Sequence, residues 1–148
     1  TTAFARSRAR REWDALHWLA GRGFEVPIPW FVAEQRTMGF IRCAMLATAA
    51  WPGQPLDRLL PAVNHRARER ILGAVEQFVE RLHRTGFRDR NLDLRNLLAR
   101  EDEGRIVVTK IDSPRHRIVH ASERPCDRLA RADWDRLYRS IDSAGLGS

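Results

Sequence analysis

A short stretch in the second half of the chain concentrates side chains that can bind metal ions and orient hydroxyl groups. The residues are Asp89, Asn91, Asp93, Asn96 and Asp112. Carboxylate and carboxamide oxygens are hard ligands of the kind that Mg²⁺ takes in nucleotide sites, and the same groups can orient a hydroxyl for phosphoryl transfer. The stretch therefore predicts a magnesium–nucleotide site with a hydroxyl acceptor beside it.

The elements on either side of this polar loop must hold it in place. Before the loop, apolar residues recur every three or four positions, which predicts a core helix over residues 65–85 with Asn64 as its N-cap and Gly86 just beyond its end. After the loop, Leu97–Ala99 and Arg105–Ile111 predict a β-hairpin around an acidic turn. The polar residues are therefore expected at the rim of a small hairpin.

The remaining elements are predicted in the same way. Helical spacing indicates a first helix over Phe4–Gly21 and a last helix over Pro125–Ile141. Between them, Trp30–Arg36 and Phe40–Thr48 predict an antiparallel pair of strands, and residues 49–55 read as a linker. Because helices and strands are partly segregated along the chain, this order indicates an α+β fold and not a parallel doubly wound sheet.

Composition and charge narrow the functional classes. The chain has 148 residues, of which 43% are apolar and 30% are charged, so it suits one folded domain and neither a disordered nor a membrane-spanning chain. Cys43 and Cys126 are too few for a disulfide scaffold, and two free thiols lead us to expect a cytoplasmic protein.

The formal net charge is +7, and Lys110 is the one lysine among 26 basic residues. A positive charge favours anionic partners such as nucleotide phosphates, nucleic acid or acidic lipid headgroups. The arginines are spread along the chain and do not alternate with aromatic residues, which disfavours a nucleic-acid-binding face.

Three segments together resemble protein-kinase-like phosphotransferases, and in particular the lipopolysaccharide core (Kdo and heptose) kinases. Residues 82–86, Arg95-Asn96-Leu97-Leu98 and Lys110-Ile111-Asp112 are similar to the catalytic loop and the metal-binding segment of that group. REWDALHWLAGRGFEVPIPW, from residue 11, resembles its helix C region. MLATAAWPGQPLDRLL, from residue 45, resembles its hinge and the linker into the large lobe.

The resemblance implies a protein-kinase-like fold with a mostly helical large lobe and a truncated small lobe. Residues 1–48 would be a remnant of the small lobe, with helix C and two strands. Residues 49–55 would be the hinge, and residues 56–148 the large lobe. The Gly-rich loop and the strand with the ATP-binding lysine would precede residue 1, and Lys110 is placed too close to Asp112 on one strand to replace that lysine. We therefore expect either a fragment or a degenerate protein, with poor nucleotide affinity by itself.

The resemblance also implies roles for particular residues, with ATP and Mg²⁺ as the cofactors. Asn96 and Asp112 would bind Mg²⁺, and Asp127 would be the buried acid that braces the catalytic loop. The residues on the nucleotide side would be Glu12, Met45, Leu46 and Ala47. Of these, Glu12 would position the missing lysine, and the other three would offer backbone groups to the adenine.

The catalytic register stays open between three residues. The family pattern places the catalytic Asp five positions before the metal-binding Asn. Counting back from Asn96 gives Asn91, whose amide can orient a hydroxyl but cannot accept its proton. Alternatively, the loop holds two extra residues and Asp89 is the acid, or Asp93 itself reaches the hydroxyl.

Ion pairs are the simpler interpretation of several of these acids. Glu12 lies four residues after Arg8, the spacing of a helical ion pair. Asp89 and Asp93 are close in sequence to several arginines that could pair with them, namely Arg88, Arg90 and Arg95.

The functional expectation is an ATP-dependent phosphotransferase that acts on a sugar hydroxyl, with a sugar or glycolipid as acceptor. The resemblance places it at the inner face of the cytoplasmic membrane as a peripheral protein. The alternative is a catalytically degenerate, pseudokinase-like binding or scaffold module, which Asn91 and the missing lysine would favour.

Overall fold

The structure is a computed structural model that describes residues 5–120 and 127–146. Within those ranges the chain forms four α-helices and seven strands, most of the strands short. Helices and antiparallel strands are mixed in one fold, as the α+β prediction requires. No helix in the described ranges is both long and apolar enough to cross a membrane.

The first helix, α1 (Arg8–Ala20), begins after Ser7. The Ser7 side chain accepts a hydrogen bond from the amide of Arg10 and so satisfies a donor that the first turn would otherwise leave free. The helix is shorter than the predicted Phe4–Gly21, because Ser7 is extended and serves as its cap; Phe4 lies outside the described residues.

A two-stranded antiparallel ribbon follows, made of β1 (Pro29–Thr37) and β2 (Phe40–Thr48). Met38 and Gly39 form its turn, and both have positive φ, 50° and 84°. Two positive φ values are what a two-residue hairpin turn of the type that matches strand twist requires. The predicted strand pair is confirmed, with the first strand one residue longer at each end. We call this unit the ribbon.

The predicted linker ends in a short strand, β3 (Gln54–Pro55), which leads directly into helix α2 (Leu56–Ala62). The α2 helix buries Leu56 and Leu60 completely. The segment between the ribbon and the core helix is therefore anchored to the apolar core at its C-terminal end.

The core helix is α3 (His65–Arg84), close to the predicted span. Asn64 caps it by accepting a hydrogen bond from the amide of Ala67 at 2.9 Å. Gly86 follows its end with φ of 95°, a left-handed conformation that favours glycine. One face of α3 is buried from Ile71 to the end of the helix, through Ile71, Val75, Val79 and Leu82.

After α3, strand β4 (Phe87–Arg88) leads into the polar loop, which comprises residues 89–96. The loop ends in a single 3₁₀ turn at Leu94–Asn96. Strands β5 (Leu97–Asp102) and β6 (Arg105–Lys110) then form the predicted hairpin, with β5 three residues longer than expected. Strand β3 pairs with the other edge of β5 and completes a three-stranded sheet. We call the β5–β6 unit the hairpin.

The last elements are β7 (Arg117–Ile118) and α4 (Arg128–Ser143). The β7 strand pairs antiparallel with β4 and so ties the segment after the hairpin to the start of the polar loop. Helix α4 was predicted from Pro125 to Ile141, and Pro125 and Cys126 lie outside the described residues.

Two clusters of buried apolar residues hold these helices and strands together. The larger one joins α2, α3, the hairpin and α4 through residues that include Leu56, Val75, Val79, Leu97, Val108 and Leu137. The smaller one joins α1 to the end of α3 and to β4 through Ala15, Leu19, Phe24, Leu82 and Phe87. The polar loop and the end of the hairpin lie at the junction of α1, α3 and α4, where the candidate site is found. The division into lobes and a hinge stays a prediction.

Candidate active site

The segment after the hairpin is held by a carboxylate from α1. Glu12 is buried, and its two oxygens accept hydrogen bonds from the backbone amides of Asp112, at 2.9 Å, and Ser113. Burial raises the pKa of Glu12, and the nearby positive charge of Lys110 opposes this effect. Asp112 has φ of 60°, an unfavourable conformation for a residue with a side chain, so its backbone depends on these contacts.

The Asp112 carboxylate contacts two other elements. The Nη2 of Arg8 lies 2.6 and 2.7 Å from its two oxygens. The Nδ2 of Asn91 donates to one of these oxygens and to the Asp112 backbone carbonyl, both at 3.0 Å. Arg8 therefore forms its ion pair with Asp112, and the predicted helical pair between Arg8 and Glu12 is not formed. Asp112 brings α1, the polar loop and the end of the hairpin together.

Asn96 closes the polar loop from the other side. Its Nδ2 donates to the carbonyl of Asn91 at 3.0 Å, and its own carbonyl accepts from the amide of Ile111 at 2.9 Å. Because Nδ2 is engaged, Oδ1 is the side-chain atom that remains for a ligand. Asn91, Asn96 and Asp112 thus belong to one connected hydrogen-bond network.

Asp89, the first of the three candidate acids, is fully buried. Its Oδ2 lies 3.2 Å from Nζ of Lys110 and accepts a hydrogen bond from the amide of Asn91, also at 3.2 Å. Burial raises the pKa of Asp89, and the charge of Lys110 opposes the shift. The carboxylate is directed into the protein, where Oδ2 is engaged and Oδ1 has no hydrogen-bond partner among the described residues.

Asp93, the second candidate acid, is also buried and serves local structure. Its side chain caps the 3₁₀ turn by accepting from the amide of Arg95 at 3.1 Å. The carboxylate also forms ion pairs with the guanidinium groups of Arg95, at 3.2 Å, and Arg136, at 3.6 Å. The predicted pairing of Asp93 with Arg95 is therefore confirmed, although Asp93 is buried. The corresponding prediction for Asp89 is wrong, because Asp89 pairs with Lys110 and Arg88 pairs with Asp127.

Asn91 is the half-buried member of the three, and its side chain contacts the Asp112 carboxylate. The geometry brings Asn91, Asn96 and Asp112 together and directs Asp89 and Asp93 elsewhere. The catalytic and metal-binding roles of all five residues stay predictions.

The acid that braces the polar loop is Asp133, and the prediction that Asp127 does so is wrong. Asp133, on α4, is buried and accepts hydrogen bonds from the amides of Asp89, at 3.0 Å, and Arg90, at 2.8 Å. It also pairs with Nε2 of His83 at 3.2 Å. A sequence signal existed, because an acid at this position falls on the apolar face of α4 four residues before a core leucine.

Asp127 instead caps α4 and binds the arginine of β4. Its side chain accepts from the amides of Leu129 and Ala130, and it forms an ion pair with the buried guanidinium of Arg88. Burial alone would raise the pKa of Asp127, but the hydrogen bond from Arg88 and those from the two amides outweigh it and lower the pKa. Asp127 supports the loop indirectly, through Arg88.

The residues predicted on the nucleotide side lie in the ribbon. Met45, Leu46 and Ala47 are in β2, where they pair with Ala33, Val32 and Phe31 of β1. In the described part of the chain β2 has no second neighbouring strand, so its other edge offers backbone groups that a nucleotide base could meet. Contact of these residues or of Glu12 with a nucleotide stays a prediction.

The donor set suits a magnesium ion that is shared with phosphates. Among the described residues, no three His, Cys, Asp or Glu side chains form a group that could hold a metal by themselves. Mg²⁺ in phosphate-transfer sites is held by one or two protein oxygens, with water and phosphate as the other ligands. The partly exposed Asp112 carboxylate and Oδ1 of Asn96 fit that requirement.

The family follows from a comparison with known sequences. The model of the lipopolysaccharide kinase (Kdo/WaaP) family matches residues 1–147. The chain belongs to this family. The resemblance seen in the sequence is therefore confirmed. A separate search of curated protein sequences found no match to the chain.

Two solved structures show the same kinase-like fold. One is WaaP in complex with acyl carrier protein, with 20% identity and a TM-score of 0.72 over 94% of this chain. The other is the Rio2 kinase–ADP/Mg²⁺–phosphoaspartate complex from Chaetomium thermophilum, with 17% identity and a TM-score of 0.63 over 92% of this chain. The chain spans 61% of the first protein's length and 38% of the second's. This family member therefore has a kinase-like fold.

Proposed function

We propose that the protein is a Mg²⁺- and ATP-dependent phosphotransferase that phosphorylates a sugar hydroxyl. The observation that carries the proposal is the hydrogen bond between the Asn91 amide and the Asp112 carboxylate, in a segment that Glu12 holds from α1. It brings together Asn91, which would orient the hydroxyl, and Asp112, which would bind the metal, at one edge of a rigid scaffold. Such positioning supplies most of the catalysis in phosphoryl transfer.

In this proposal each residue of the network has one task. Asp112 and Asn96 would hold Mg²⁺, which neutralises charge on the phosphates. Asn91 would orient the acceptor hydroxyl by hydrogen bonding. The transition state of phosphoryl transfer is loose in most analyses, so orientation matters more than early removal of the hydroxyl proton. An amide in this place is therefore compatible with activity.

Arg8 would have to leave Asp112 when the metal binds. The Arg8 side chain is 70% exposed, and exposed ion pairs contribute only about 0–1 kcal/mol. The pair is thus weak enough for a divalent cation with phosphate ligands to replace it.

The acceptor is proposed from the family and from charge. A family of lipopolysaccharide kinases suggests a sugar of a glycolipid, and the net charge of +7 would favour an anionic one. Peripheral association with the inner face of the cytoplasmic membrane belongs to the same proposal.

Transfer of radiolabelled γ-phosphate from ATP to purified core sugars would test the proposal in the full-length protein. Asp112→Asn should lower the rate by about 10²-fold or more, because it removes charge that holds the metal. Asp102→Asn, in the hairpin turn region and outside the network, is the matched control and should keep the rate. Wild-type protein that transfers no phosphate to any sugar or lipid acceptor would contradict the proposal.

A second candidate function is a binding module without catalysis, and the amide at Asn91 favours it. Such a protein would bind Mg²⁺ and nucleotide without transferring phosphate. Asn91→Asp separates the two candidates. In a degenerate protein this change would create transfer where wild type has none, whereas in an enzyme the wild type is already active.

A further inference from the structure

Lys110 is the one lysine of the chain, and it is buried at the last position of β6 with 1% of its surface exposed. Placing an ammonium group in the interior costs several kcal/mol unless close partners compensate for the lost water. A buried cation at this position therefore needs an explanation, particularly in a protein that uses arginine for every other basic residue.

The Lys110 ammonium group is surrounded by as many acceptors as it has hydrogen-bond donors. An ammonium group has three hydrogen-bond donors and no acceptor. Its Nζ contacts Asp89 Oδ2 at 3.2 Å, the carbonyl of Ile111, and the carbonyl of Asp112 at 3.3 Å. A compact ammonium can meet acceptors in three different directions, whereas the planar guanidinium of arginine presents its donors in one plane.

Two of these acceptors belong to the segment that carries Asp112. The Glu12 carboxylate accepts hydrogen bonds from the amides of Asp112 and Ser113, and Nζ of Lys110 donates to the carbonyl of Asp112. The left-handed conformation of Asp112 is thus held from both directions. Because φ of 60° is unfavourable for aspartate, the segment would relax if either support were removed.

The third acceptor connects this segment to the polar loop. Asp89 Oδ2 forms an ion pair with Nζ of Lys110 and accepts a hydrogen bond from the amide of Asn91. The pair therefore links the backbone of Asp112 to the backbone of Asn91, the two residues whose side chains meet in the candidate site. The side chains of Lys110 and Asp89 are fully buried, so neither can contact a substrate or a nucleotide directly.

We propose that Lys110 and Asp89 form a positioning pair that sets the geometry between Asn91 and Asp112. This inference rests on the proposed function, since the geometry serves a metal and a hydroxyl. It assigns the candidate acid Asp89 a role in the support of the site and gives Lys110 a role that no motif indicates.

The test compares Lys110→Met, Asp89→Asn and the double variant in the full-length protein. Lys110→Met alone leaves a buried carboxylate without its cation and should lower the melting temperature strongly or prevent folding. The double variant replaces the ion pair by neutral groups of similar size, so its melting temperature should recover most of the loss. In the recovered double variant, the affinity for Mn²⁺–ADP, measured by electron paramagnetic resonance, should remain about 10- to 100-fold weaker than in wild type.

Thr109→Val is the matched control. Thr109 is the neighbouring residue on β6, is fully buried, and donates a hydrogen bond to the carbonyl of Glu25, away from the site. This variant should lose stability and keep Mn²⁺–ADP affinity. A double variant that recovers both its melting temperature and its affinity would overturn the inference, because the pair would then serve folding alone.

Hydrogen exchange keeps this inference separate from the proposed function. If wild type binds no Mn²⁺–ADP, the proposed function fails, but the amides of Asp112 and Ser113 still report on the positioning pair. We expect them to exchange at least 10-fold faster in the double variant than in wild type and at the wild-type rate in Thr109→Val. Equal rates in the double variant and wild type would refute the positioning role.

Discussion

The ribbon and the hairpin are built alike but packed differently. Each is an antiparallel pair with a tight turn that contains a glycine of positive φ. In the ribbon every residue is half-buried or exposed, and Phe31, Phe40 and Met45 each expose about half of their surface. In the hairpin the strand ends next to the site are buried through Leu97, Leu98, Ala99, Val108, Thr109 and Lys110.

This difference in packing indicates which half of the proposed site is held in a fixed geometry by the core. The hairpin lies within the large apolar cluster with α2, α3 and α4, so the residues proposed to bind the metal and to orient the hydroxyl are held in fixed positions. The ribbon carries the residues predicted to meet the nucleotide, yet its main neighbour in the described part of the chain is α1. The same local pattern of alternating strands therefore supports a rigid site in one place and an exposed surface in the other.

The largest expected effect tests the packing of the two units directly. Leu97→Ala, at a fully buried position of the hairpin, should lower the free energy of unfolding by about 2–5 kcal/mol, since it removes core contacts and leaves a cavity. Phe31→Ala in the ribbon removes a larger side chain but should cost only about 1 kcal/mol, because half of that side chain is already in water. Urea unfolding of both variants measures the difference. Equal losses would contradict the contrast between the units.

The second effect concerns the brace of the polar loop next to the hairpin. Asp133→Ala leaves the amides of Asp89 and Arg90 without their acceptor and should cost about 2–4 kcal/mol, since each buried donor left unpaired costs about 1–3 kcal/mol. Asp135→Ala, an exposed acid on the same helix, should change stability by less than about 0.5 kcal/mol. Thermal unfolding compares the two variants. If both variants were as stable as wild type, Asp133 could not be the brace.

Strong local patterns made much of the fold predictable. The apolar stripe of α3, its Asn64 cap and the two strands of the ribbon are determined by residues close together in sequence, and the helix and strands are predicted nearly to their ends. The β4–β7 pair was missed, because two-residue strands show no periodicity and their pairing depends on tertiary contacts.

The candidate site could be predicted in composition but not in geometry. The sequence places the candidate polar residues in one loop and just after the hairpin, and the structure shows that Asn91 faces Asp112 while Asp89 faces Lys110. The direction of each side chain depends on how the loop is closed by α1 and α4, which are distant in sequence. For the same reason the choice between Asp127 and Asp133 as the brace required three-dimensional information.

A third, smaller effect asks whether the ribbon unfolds apart from the hairpin. Ser7 caps α1, which the ribbon contacts, and Asn64 caps α3, which the hairpin contacts. Either residue changed to alanine should weaken its helix by about 1 kcal/mol. Asn64→Ala should lower global stability by that amount. Ser7→Ala should instead speed hydrogen exchange in α1 and the ribbon and leave exchange in the hairpin unchanged. Uniformly faster exchange throughout Ser7→Ala would mean that the two units unfold together.

The smallest effect is the pH dependence of the contact between the ribbon and α1. Hydrogen bonds from Ser7 and Arg36 lower the pKa of Glu34 to about 2. Because the pKa is lower in the folded protein, this contact stabilises fully above the ordinary glutamate value of 4.5 and is lost as the pH falls through about 2. The carboxyl resonance of Glu34 should therefore titrate near pH 2, and the amide signal of Ser7 should shift with it. Glu34→Gln should abolish the shift at Ser7 and leave the amide signals of the hairpin as they are in wild type. A Glu34 midpoint near 4.5 would show that the ribbon does not hold this contact in solution and is even less constrained than its exposed surface indicates.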